Sequence, residues 1–161
     1  MSKGDLMSHT SSTIRRAVSY VIGGAQPDDP VLRLTYDARL VRRRRFDLSD
    51  SMAVLVDLPT TVSLNSGDAL VLEGDGQIAI AAAEEPLMRV EGPDLPRLAW
   101  HIGNRHTPCQ IEMDHLIIQQ DHVLADMLRG LGARVTSVTG PFTPEGGAYG
   151  HGRTMGHDHK H

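Results

Sequence analysis

The sequence predicts an α+β protein of two domains: a small all-β domain first, then a domain in which strands alternate with two helices, and a His-rich C-terminal tail. Three observations carry this. Short β-rich runs separated by turn residues fill 17–82. Beyond the Pro-punctuated stretch "EEPLMRVEGPDLPRL" the apolar spacing changes from strand-like to helical. Eight of the nine histidines lie in the last 61 of 161 residues, so the two parts have different jobs.

Residues 1–13 are polar and Ser/Thr-rich, and read as disordered. The β domain, 14–84, opens with "VSYVIGG" and "VLRLTY", split by the turn-like "AQPDDP". "MAVLVDL" is expected to end as a strand at Pro59. "TVSLNSGDALVLEGDGQIAIAA" then gives strands broken by turns at Asn65 to Asp68 and at Gly74 to Gly76. Such spacing suits a small sandwich or barrel.

The second domain, 85–140, opens with the strand "LMRV". Leu95, Leu98, Ala99 and Ile102 then fall at i, i+3, i+4 and i+7, the apolar stripe of a helix, with Asp94 as its cap. Gly103 and Asn104 are expected to end it in the left-handed conformation, and Pro108 blocks a restart. "CQIEM" and "HLIIQQ" read as strands around Asp114. Asp121 begins a second helix with Val123, Leu124, Met127, Leu128 and Leu131 on one face and Gly132 at its end. "RVTSVT" closes the domain. The order is strand–helix–strand–strand–helix–strand, a ferredoxin-like βαββαβ arrangement. The Gly/His-rich segment 141–161 reads as a flexible tail.

Composition excludes several classes. A net charge of -4 argues against general nucleic-acid binding. The single cysteine, Cys109, allows no intramolecular disulfide and suits a reducing compartment. No apolar run approaches the roughly 20 residues that cross a bilayer. The first residues lack a secretory signal's apolar region. A cytoplasmic protein with no membrane partner is expected. HExxH, GxSxG, P-loop and dinucleotide fingerprints are all missing, so no enzyme is indicated.

The histidines are the candidate chemistry. His151, His157, His159 and His161 lie within eleven residues. Neutral imidazole is a borderline ligand suited to nickel, copper and zinc, so metal binding is preferred over a purification tag or a solvated tail. His101 sits at the edge of the helical stripe and is expected to be a partly buried structural histidine. His106 lies past the expected helix end, on a connection where functional side chains concentrate, and reads equally as ligand or structural residue. His122, at the start of the second helix, is disfavoured as a cation by the helix dipole, which leaves a metal-competent neutral ring. His115 is expected to be solvated, and Cys109 to be a small buried hydrophobe. The run Arg42 to Arg45 reads as a solvated strand edge or a face for an acidic protein partner.

The segments "LAWHIGNRHTPCQI", "DHVLADMLRGLGARV" and "FTPEGGAYGH", in this order and followed by a His-rich end, resemble the urease accessory protein UreE family. The likeness is weaker in "LTYDARLVRRRRFDLSD" and "DLPTTVSLNSGDALVLEGDG" but spans most of the chain. It implies a nickel metallochaperone that delivers Ni²⁺ for urease active-site assembly. It implies an N-terminal domain that contacts protein partners and a C-terminal domain that forms a homodimer. His106, the histidine of "GNRH", would meet its symmetry mate there and share one ion, with His151 the best-placed tail residue to complete the shell. Some members carry an HxH pair at the start of the second helix; here Gln120-Asp121-His122 keeps only the last residue. Zn²⁺ and Cu²⁺ are ions the same ligands accept in vitro. Implied partners are the urease apoprotein and its accessory proteins, including the accessory GTPase.

Two other readings stand beside this one. A metal-dependent hydrolase would use His101, His106 and Glu112. A protein- or peptide-binding module would carry its His-rich tail incidentally.

Overall fold

A computed structural model describes residues 13–147. The histidines at 9, 151, 157, 159 and 161 lie outside the described residues, as does most of the segment expected to be disordered at the start. The chain forms two compact units, one of 13–33 and 40–81, the other of 34–39 and 82–147.

The first unit is built on one sheet. Its strands are β1 (Thr13–Val21), β2 (Val31–Leu34), β3 (Leu40–Ser49), β4 (Met52–Ser63), β5 (Ala69–Leu72) and β6 (Gln77–Ala82), in the order β2-β6-β5-β1-β4-β3. β1 runs parallel to β4 and antiparallel to β5. Aliphatic side chains, among them Val54, Val56, Leu70 and Ile78, are fully buried, as the low aromatic content requires. The turn expected at Asn65 to Asp68 is present. The buried Asp68 carboxylate accepts from the backbone N–H groups of Asn65 (2.8 Å) and Gly23 (3.0 Å), fixing two loops at once.

β4 does not stop at Pro59 as expected; it continues to Ser63. The ladder shows why proline is tolerated. Register between β3 and β4 shifts between the pairs Val41↔Val62 and Arg43↔Asp57, so Pro59 falls in a stretch without a ladder partner. Its missing N–H therefore costs no ladder bond.

The second unit has the expected element order: β7 (Glu84–Glu91), α1 (Leu95–Asn104), β8 (Gln110–Ile111), β9 (Leu116–Gln119), α2 (His122–Gly130) and β10 (Arg134–Pro141). Its antiparallel sheet has the order β10-β7-β9-β8, the split βαβ topology. Leu98 and Ile102 of α1 and Leu124, Ala125 and Leu128 of α2 pack on Met88, Val90, Leu116 and Ile118. The stripe of α2 is narrower than expected, because Val123 is 63% and Leu131 42% exposed.

The unit also takes in residues 34–39, which the sequence places in the β domain. Tyr36 joins Leu87, Ile117 and Phe142 in a smaller cluster. Its backbone N–H donates to the buried Glu85 carboxylate at 2.8 Å. Buried Arg39 donates to the carbonyls of Leu34 (2.9 Å) and Phe142 (2.6 Å).

Candidate metal centre

Helix α1 is aimed by its two ends. At its start Asp94 accepts from the Arg97 N–H at 3.3 Å, with proline in the first turn where the missing N–H is not needed. At its end the structure departs from expectation. Gly103 and Asn104 stay helical, Arg105 is the C-cap, and His106 takes the left-handed conformation at φ +56°. The His106 N–H donates to the Gly103 carbonyl (2.9 Å) and the Thr107 N–H to the Ile102 carbonyl (3.4 Å). This pair is a Schellman cap with a histidine in the position that glycine normally fills.

Helix α2 closes with the same cap. There Gly132, at φ +91°, donates to the Arg129 carbonyl and the Ala133 N–H to the Leu128 carbonyl, both at 3.0 Å. The chain thus uses glycine for this geometry in one helix and histidine in the other. Among described non-glycine residues His106 alone has positive φ. Histidine tolerates this region better than most residues, yet still bears strain of order 1 kcal/mol. The His106 side chain is exposed.

The other candidates divide. His101 is half-buried and meets the Trp100 ring edge-on, with centroids 5.0 Å apart. His115 is not solvated as expected. Its side chain is 18% exposed and its Nδ1 lies 2.6 Å from the Asp114 carboxylate, and that contact holds the Asp114 carboxyl below its ordinary range. His122 is the first residue of α2 and fully in solvent, 3.6 Å from the Asp126 carboxylate; Asp121 caps the helix by accepting from Leu124 N–H at 3.0 Å. Cys109 packs against the core beside β8, and burial pushes its thiol up to about 11, so it is a poor thiolate ligand. Among the described residues no three His, Cys, Asp or Glu side chains gather as a metal-holding group. His101, His106 and Glu112 therefore form no hydrolase centre.

Sequence reasoning missed the strap that follows β10. The segment expected to be flexible from residue 141 is held at its beginning. Phe142 is fully buried and meets Tyr36 edge-on at 5.3 Å. The Thr143 N–H donates to the Gln110 side-chain oxygen and the Glu145 N–H to the Cys109 carbonyl, both at 2.9 Å. The strap thus brings the start of the tail to residues 109 and 110, close in the chain to His106. The aromatic Phe142, set directly after β10 among proline, threonine and glycine residues, was the available signal.

The two units and the capped loop at His106 give the architecture, and comparison with known proteins names the class. The model described as "UreE urease accessory protein, N-terminal domain" matches residues 17–83, and that for the C-terminal domain matches 85–161. The urease accessory protein UreE of Ruegeria pomeroyi is 58% identical over 135 residues, covering 84% of this chain and 90% of that protein. Those of Rhodobacter capsulatus and Paracoccus denitrificans are 56% and 55% identical, each over 80% of this chain and 81% and 82% of their own lengths. The chain belongs to the UreE family of urease accessory proteins, which are maturation chaperones and not enzymes.

Proposed function

We propose that the chain is a nickel metallochaperone that binds Ni²⁺ between the His106 rings of a homodimer and delivers it for urease active-site assembly. The observation that carries this is the strained, exposed His106 in a cap where the neighbouring helix uses glycine. A two-fold axis sets the same residue of both chains face to face, so one histidine per chain becomes two ligands. On α1, the helix that leads into His106, Trp100 is 62% exposed, an aromatic anchor of the kind that interface cores bury.

Nickel accepts octahedral or square-planar nitrogen and oxygen sets. Two imidazoles leave positions open for His151, with His157, His159, His161 and the peripheral His122 as auxiliary ligands. The reach is adequate. Six residues from Glu145 to His151 span at most about 20 Å, and the three from Cys109 back to His106 about 10 Å. An incomplete shell suits a carrier, which must release its ion. Zn²⁺ and Cu²⁺ fit the same ligands in vitro. The partners of this reading are the urease apoprotein and its accessory proteins, including the accessory GTPase, in the cytoplasm.

Calorimetric titration of tag-free protein with Ni²⁺, with molar mass measured by light scattering, tests it. One tight ion per dimer is expected. A monomer that retains a tight ion would overturn the shared site.

A further inference from the structure

Strand β3 carries Arg42, Arg43, Arg44 and Arg45 in succession, all exposed, along the outer edge of the six-stranded sheet. One edge of β3 pairs with β4, and the other has no neighbour among the described strands. Arg45 is 3.5 Å from Asp47, both largely in solvent, and Arg44 lies over the Phe46 ring at 5.0 Å. Arg43 stands opposite Asp57 in the β3–β4 ladder, and the Asp57 carboxylate is already held by Arg16 at 2.7 Å. Positive charge is therefore in surplus along this edge, in a chain whose net charge is -4.

We propose that the free edge of β3 is a docking strand for an extended, acidic segment of a protein partner. An open strand edge offers backbone donors and acceptors to an added strand, and the flanking side chains choose which strand is accepted. The ladder from Arg43 to Asp47 is unbroken, which gives an incoming strand a regular template. Four arginines repel a second copy of β3 and give no advantage to a neutral strand. A strand bearing glutamates or aspartates neutralises them. Nucleic acid fits less well, because the positive run is only four residues long, Asp47 follows it on the same strand, and buried Phe46 offers no ring for a base to stack on.

The probe is a fluorescein-labelled peptide of alternating Glu and Thr, as long as β3, titrated with the full chain and read by anisotropy. Binding that weakens with added salt is expected. The same peptide N-methylated at every second residue is tested in both frames, and one frame should lose binding because its ladder donors are gone. Replacing all four arginines by Gln should weaken binding about thirtyfold. The milder R43Q/R45Q, which leaves Arg44 on Phe46, should weaken it by a smaller factor. Ni²⁺ uptake and circular dichroism should not change in either variant, so failure here is separable from failure of the nickel reading. Retained affinity in the Gln variants, full binding by both methylated frames, or tighter binding of a single-stranded oligonucleotide would overturn the proposal.

Discussion

Replacing His106 by glycine should remove a metal ligand and relieve the fold at the same time. The left-handed region costs an L-residue roughly 1–2 kcal/mol, and glycine avoids that cost. Glycine also has more freedom in the unfolded chain, which offsets about 0.4–1 kcal/mol. His106 stands at φ +56° in a cap that matches the one Gly132 forms. His106→Gly is therefore expected to be more stable than His106→Ala by about 1 kcal/mol. Both variants lose the imidazole, so the comparison isolates the backbone. For a domain of about 60–100 residues the difference amounts to about 4–8 °C in melting temperature. Thermal unfolding of both proteins, followed by circular dichroism with a chelator present, measures it. A His106→Gly protein that melts at or below His106→Ala would refute the claim that strain is stored at this cap.

Deleting residues 152–161 should lower the number of Ni²⁺ ions bound per dimer and leave one tight site; complete loss on titration would make the tail the primary site. Trp100→Glu, on an exposed face, should leave the protomer folded but shift light scattering toward monomer. Cys109 should react slowly with a thiol reagent at pH 8, since burial raises its pKa from 9.0 to about 11. The sign follows: the folded state holds the thiol proton more tightly, so this contribution to stability is intact below pH 9.0 and lost as pH rises toward about 11. Cys109→Ala should flatten that decline in denaturant unfolding.

The second unit was legible because its apolar periods are clean. Leu98 and Ile102 at one spacing and the alternating residues of β7 and β9 point to one core. The fate of Pro59 was not legible, since the register shift that excuses it depends on strand β3 across the ladder. Nor was the assignment of 34–39 to the second unit, because Tyr36 and Arg39 find their partners at Glu85 and Phe142, far along the chain. His106 stood out by its place after a helix. Its left-handed backbone did not, because Gly103 and Asn104 looked better suited to that conformation and the hydrogen-bond pattern moved the cap beyond them. His115 was misread because its contact with Asp114 and its half-burial arise from the hairpin around it.

The central claim is that His106 binds the ion. Ni²⁺ titration of full-length His106→Ala at neutral pH, with circular dichroism and light scattering on the same sample, tests it most directly. One substitution removes two ligands from one shared ion. The expected result is a folded dimer without the tight site, whereas His151→Ala weakens that site and keeps it. A folded His106→Ala dimer that still binds one Ni²⁺ tightly would contradict the account.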